Sequence, residues 1–154
     1  MLIQIKPNVA VQWFATGDSD FNTVHQLCDW IFPASERVSP DPANPQQHYT
    51  AAIIQFQKVI ACGQLTAITA GSGRRYLQLS KMAVARPFMY CGYRDMLLRA
   101  VIARATQLRA EGILLSARLE AIEFYRSHGF VEFAGTYQHA ISGVQYQQMI
   151  LLIA

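Results

Sequence analysis

The chain has 154 residues, 52% hydrophobic and only 15% charged, with a formal net charge of +3. That is long enough for one domain with its own core and too apolar for a disordered segment. No apolar run approaches a membrane span, and the mild positive charge suits an anionic ligand but is equally common in proteins with no anionic partner.

Three cysteines, Cys28, Cys62 and Cys91, are odd in number and form no close pair, which reads as reduced thiols. The N-terminus lacks a basic start followed by an apolar run, so no leader is expected and the protein is placed in the cytoplasm.

In chain order, residues 2–6 alternate apolar and polar and predict an opening strand that Pro7 ends. Ser19 or Asp20 caps a predicted helix over 21–31, with Phe21, Val24, Leu27, Cys28 and Ile31 at helical spacing and Pro33 as its stop. Residues 33–49 carry Pro33, Pro40, Pro42 and Pro45 and few apolar side chains, a long loop of the kind that serves function. Residues 51–56 and 59–65 read as two strands around a tight turn at Gln57-Lys58, and Gly71-Ser72-Gly73 turns the chain into a strand over 76–84. From Arg86 to Gly92 the chain cannot stay regular, because Pro87 lacks an N–H and Gly92 frees the backbone.

Residues 93–111 contain no Gly or Pro and predict a long helix, with Gly112 as its stop. Arg94, Arg99, Arg104 and Arg109 recur every five residues, about 140° per step on a helix, so they wind around it and form no single basic stripe. A short apolar strand at 113–117, a helix over 119–128 ended by Gly129, and strands at 130–137 and 144–153 around Ser142-Gly143 complete the order. The expected fold is α/β: a mixed sheet of six to seven strands with helices on both faces, in one domain over 1–154. Within it, strand, loop-to-helix and strand form a βαβ-type unit, and anions settle at such helix N-termini.

Met82-Ala83-Val84, a Gly92 loop before a long helix, Leu115-Ser116-Ala117-Arg118, and the run from Ala121 through Phe124-Tyr125 to Gly129-Phe130 together resemble the GNAT superfamily of acyl-CoA-dependent N-acyltransferases. The resemblance spans residues 49–153. Within the superfamily, Ser116-Ala117-Arg118 followed by Glu123-Phe124 is most similar to the acetyltransferase-like half of a bacterial two-domain protein whose other half is a thioesterase, a half not expected here.

The resemblance implies transfer of an acyl group from acetyl-CoA or another acyl-CoA to a small-molecule or peptide amine, without a metal, a nucleic acid or a membrane. The family's phosphate loop reads Arg or Gln, two residues, Gly, one residue, Gly or Ala. Here the stretch is Met89-Tyr90-Cys91-Gly92-Tyr93-Arg94, in which only the central glycine keeps the pattern. Arg94 either folds outward and adds a cation for phosphate or marks a loop that has lost its hold on CoA. From spacing alone Gly92 reads equally well as a helix-entry glycine.

Met82, Ala83 and Val84 are implied to offer backbone groups to the pantetheine arm where their strand splays from 113–117, Phe124 to belong to the cofactor site, and Arg118 to reach that arm or only a nearby carbonyl. Tyr125 is implied to sit by the CoA sulfur and give a proton to the leaving thiolate; its position reads equally as a packing aromatic. The base is missing: a family glutamate position aligns with Gln78, and an amide takes no proton. Ser80 as a holder of water, Glu132, His48 and His139 are the substitutes, while Glu120 and Glu123 read as solvated.

Two other readings stand beside the enzyme. A catalytically silent module that binds CoA or an acyl carrier is favoured by Gln78 and the altered loop. A structural domain forming a homodimer is favoured by the high apolar fraction. No nucleophile elbow, no HExxH and no His pair at ligand spacing is present.

Overall fold

The computed structural model of the chain describes residues 10–15, 48–55 and 58–153. The strand expected at 2–6, the helix expected at 21–31 and most of the loop at 33–49 lie outside them. Seven strands form one sheet in the order β1-β2-β3-β4-β5-β7-β6. They are β1 (Val11–Ala15), β2 (His48–Gln55), β3 (Lys58–Thr69), β4 (Arg75–Val84), β5 (Gly112–Arg118), β6 (Val131–Gln138) and β7 (Gln145–Leu152). Among the described residues the α-helices are α1 (Tyr93–Gln107) and α2 (Ile122–Arg126). Only β4 and β5 pair in parallel among these neighbours. A parallel pair needs a long crossover, and α1 supplies it. The architecture is the expected α/β one, a mixed sheet flanked by helices.

One cross-strand row explains the core. Tyr49, Leu65, Leu79, Leu115 and Met149 follow each other in register from β2 to β7 and so share a face. Leu98, Val101 and Ala105 of α1 pack into the cluster built on that row, and Tyr125 of α2 and Phe130 join it. Leu97, Leu98, Val101 and Ala105 are buried at helical spacing. The arginines of α1 go separate ways, as their spacing requires. Arg94 lies over Phe124, Arg99 pairs with Asp95, and Arg104 stacks over Trp13 at 4.7 Å. Arg109 turns the chain at the helix end.

Several boundaries differ from the sequence reading, and local geometry accounts for those at α1, α2 and the start of β3. α1 stops at Gln107, not at 111, because Arg109 adopts φ 56. The Arg109 N–H then reaches the Thr106 carbonyl at 3.1 Å and the Ala110 N–H the Ala105 carbonyl at 3.0 Å, closing the helix in the doubly bonded pattern usually given to glycine. Gly112 is therefore not the stop. It opens β5, and a Cβ there would lie 2.7 Å from the Leu151 carbonyl. The helix expected over 119–128 is a 3-10 turn, Leu119–Ala121, followed by the five residues of α2. Gly129 does end it, at φ 94, with the Phe130 N–H on the Tyr125 carbonyl at 3.2 Å. Finally, Lys58, expected in the turn, pairs with Gln55 and opens β3. Cys62, expected as a reduced thiol, is disulfide-bonded, whereas Cys91 is not in a disulfide.

Candidate active site

The site begins with a bulge. Gln64 pairs with Lys81 but Leu65 pairs with Leu79, so Ser80 is an extra residue in β4. A bulge bends its strand and shifts the side-chain alternation by one. Beyond it Met82 and Val84 face α1 beside Leu97, while Ala83 joins Ala52 and Cys62 on the other face. The bend also ends the ladder with β5. The last β4–β5 pair is Leu79 with Leu115, yet β4 continues to Val84 and β5 to Arg118. A wedge-shaped gap opens there, edged by the backbone of Met82, Ala83 and Val84 on one side and of Ser116, Ala117 and Arg118 on the other. Two half-open strand edges can each bond an extended ligand inserted between them.

The loop from β4 to α1 brings a helix end to the same gap. A 3-10 turn, Arg86–Phe88, is followed by Met89, by Tyr90 at φ 65 and by Gly92 at φ 87. Gly92 caps α1, and the Met96 N–H to the Gly92 carbonyl, 3.1 Å, is the first helical bond, so the amides ahead of it point out of the helix end. A Cβ built on Gly92 meets nothing within 4 Å, so the space before the helix end is open. Tyr93 turns inward, buried against Phe88 with ring centroids 6.2 Å apart. The Arg94 guanidinium lies across the Phe124 ring at 4.0 Å.

α2 presents Tyr125. Its ring is 9% exposed and sits edge-on between Phe124 at 5.2 Å and Phe130 at 5.7 Å. Burial pushes its phenol up to about 12, and the nearby Arg94 charge pulls the other way. α1 and α2 are tied directly: Asp95 Oδ1 lies 2.6 Å from His128 Nε2, and His128 Nδ1 lies 2.9 Å from the Phe124 carbonyl. The hydrogen bond with His128, followed by the charge of Arg99, outweighs burial and lowers the Asp95 carboxyl below its ordinary range.

The opposite face of the sheet carries the other candidates. His48, Thr66 and Gln78 follow in register across β2, β3 and β4, and His48 Nδ1 is 3.1 Å from Thr66 Oγ1. Gln78 precedes the last β4–β5 pair by one residue, at the apex of the gap. His139 instead accepts the Ile141 and Ser142 N–H groups in the β6–β7 turn, and Glu132 is held by Arg126, which also binds Glu123. Of the substitute bases, only His48 stands on the Gln78 row. Arg118 is in register with Tyr146, which stacks on Tyr137, and the Tyr137 hydroxyl donates to Ser116 Oγ at 2.9 Å.

Asp95, His128, Tyr137 and Gln147 escaped the sequence reading. For Asp95 the signal was present, an acid in the first turn of a helix, but its partner lies 33 residues away. Among the described residues no cluster of His, Cys, Asp and Glu is arranged for a metal, and no helix is long and apolar enough to cross a membrane.

Solved structures share the fold. An acyl-CoA N-acyltransferase from Pseudomonas aeruginosa superposes with a TM-score of 0.70 at 13% identity, covering 92% of this chain and 99% of that one. Naa50 of Arabidopsis thaliana, bound to the bisubstrate analogue CoA-Ac-MVNAL, gives 0.68 at 18% identity, covering 94% and 100%. The ribosomal-protein-S18-alanine N-acetyltransferase of Escherichia coli gives 0.65 at 18% identity, covering 94% of each. No curated protein matches by sequence. A family profile described as the Acetyltransferase (GNAT) family matches residues 18–130, most of the chain, and with that match the protein belongs to the GNAT acetyltransferase family.

Proposed function

We propose that the chain transfers an acyl group, acetyl in the first instance, from acyl-CoA to an amine by direct attack. The observation that carries this reading is the gap between β4 and β5, where the Ser80 bulge ends the ladder: α1 begins just after β4, and Tyr125 packs in the same buried cluster as Ala117 of β5. The diphosphate would rest on the Gly92 loop and the outward amides of α1. The pantetheine arm would run between the backbone edges of Met82–Val84 and Ser116–Arg118, with Phe124, Arg94 and Arg118 around it.

The amine nitrogen attacks the thioester carbonyl, a C–N bond forms, the C–S bond breaks, and the amine loses its proton to water held near Gln78 and Ser80, with His48 as the base behind it. Tyr125 meets the departing sulfur. With its phenol at about 12 and an ordinary thiol near 8.5, full proton transfer runs uphill, so its service is a hydrogen bond to the developing thiolate. Peptide α-amines are the acceptors to try first, because Naa50 is seen with an acetylated peptide analogue and the Escherichia coli enzyme is named for an alanine of ribosomal protein S18.

A second reading is a silent module that binds CoA without turnover. Gln78 at the apex favours it, as does Glu132 being engaged by Arg126. Calorimetry with acetyl-CoA, followed by single turnover against small amines and peptides, separates the two. Micromolar binding with amide product supports the enzyme, and binding without product supports the module. No binding at millimolar acetyl-CoA rules out both.

A further inference from the structure

We propose that Asp95 and His128 are a positioning pair that couples occupancy of the α1 helix end to the placement of Tyr125. The inference rests on the functional reading above, in which that helix end holds a diphosphate. α2 has five residues, too few to hold a helix by itself, so its orientation is set by what its side chains touch. On the core side Tyr125 packs against Phe130. On the open side the contacts run to one turn of α1: Arg94 over the Phe124 ring at 4.0 Å, and Asp95 on His128 at 2.6 Å. His128 closes back on α2, its Nδ1 2.9 Å from the Phe124 carbonyl and its ring 4.8 Å from the Phe124 ring. An unbroken path thus leads from the first turn of α1 to the residue before Tyr125, through an imidazole whose side chain is only 12% exposed.

The pair also answers an electrostatic problem. Asp95 is the third residue after the Gly92 cap, within the turn that faces the proposed diphosphate. A bare carboxylate there would repel the ligand and offset the attraction of the helix end. His128 takes one of its oxygens and Arg99 the other, at 2.9 Å, so the negative charge is engaged sideways. An anion arriving at the helix end pulls on the same turn that holds His128, and His128 carries Phe124 and Tyr125 with it.

The test uses 3′-phosphoadenosine 5′-diphosphate, the nucleotide end of CoA without the pantetheine arm, which is too short to touch Tyr125. Amide hydrogen exchange is followed over residues 122–130 at saturating probe. In the wild type the probe slows exchange there at least threefold. His128→Ala and Asp95→Ala bind the probe but lose that protection, and His128→Gln, which keeps an amide N–H near the Nε2 position, retains it. Asp95 is half-exposed, so Asp95→Ala tests the link even where His128→Ala does not fold. Wild-type exchange unchanged at saturation, or equal protection in the alanine variants, overturns the coupling while leaving acyl-CoA binding intact. Failure of the wild type to bind either the probe or acetyl-CoA is a different result, seen before any variant is made, and it removes the functional reading and the coupling together.

Discussion

The Arg94 guanidinium lies 4.0 Å above the centroid of the Phe124 ring, so the bulky residue that ends the phosphate-loop pattern is laid along α2. This placement reconciles a large side chain with an open helix end. It also sets a cation near Tyr125, whose phenol it pulls down against the effect of burial. Arg94→Ala should cost about 0.5–1 kcal/mol of stability, the worth of an exposed cation–π contact. In the same variant the Tyr125 phenol should rise above its wild-type value of about 12, read by ultraviolet titration of tyrosinate against a Tyr125→Phe control. A phenol that titrates at an unchanged pH would mean that the two groups do not communicate.

Gly92 combines a left-handed backbone, φ 87, with open space where a side chain would project. Two substitutions separate these features. Gly92→Ala meets no neighbour and should cost about 1–2 kcal/mol, the strain of a left-handed L-residue. Gly92→Trp carries the same strain but fills the space before the helix end. The two variants should melt within a few degrees of each other, while only the tryptophan abolishes acetyl-CoA binding in calorimetry. Equal affinities would place the diphosphate elsewhere.

Tyr125→Phe removes one hydroxyl and leaves the aromatic packing between Phe124 and Phe130 in place. If the phenol steadies the leaving thiolate, single-turnover acyl transfer should fall about 10²–10³-fold with acetyl-CoA affinity unchanged. The pH dependence of stability has a definite sign. The folded phenol titrates at about 12 and an unfolded one near 10, so its contribution is fully present below pH 10 and is lost as pH rises through 12. That difference corresponds to roughly 3 kcal/mol. Urea unfolding from pH 9 to 12 should show the wild type losing this stability and Tyr125→Phe keeping it.

The parts of this fold that depend on local pattern were legible in the sequence. The alternation of 76–84, the Gly-free run after Gly92 and the Gly129 stop each became the element expected. Helix ends were misread where a non-glycine took a glycine's conformation, as Arg109 does at φ 56. The Ser80 bulge left no signature, because it exists only as a register shift between β3 and β4. Yet that shift decides which side chains beyond it face α1 and where the gap opens. The resemblance supplied the candidate site residues, and Asp95 and His128 were missed because nothing local marks a pair separated by 33 positions.

Gln147 shows how a buried polar side chain shapes the β6–β7 hairpin beside β5. Glu132 pairs with Met149 and Thr136 with Gln147, so residues 133–135 of β6 all face Gln148, and Ala134 takes φ 55. Two extra residues keep the alternation in phase, so Tyr137 still lands opposite Tyr146 and reaches Ser116. The bulged carbonyls need donors, and the Gln147 amide, 6% exposed, supplies them: its nitrogen lies 3.2 Å from the Ala134 carbonyl, 3.4 Å from that of Phe133 and 3.0 Å from that of Gln148. Gln147→Leu keeps the volume and removes the donors, so it should cost about 1–3 kcal/mol in urea unfolding, the net worth of the two hydrogen bonds its amide can donate. Tyr137→Phe removes a single exposed bond and should cost under about 1 kcal/mol. The reverse order would mean that the Tyr137–Ser116 bond holds the hairpin against β5 and the bulge merely follows.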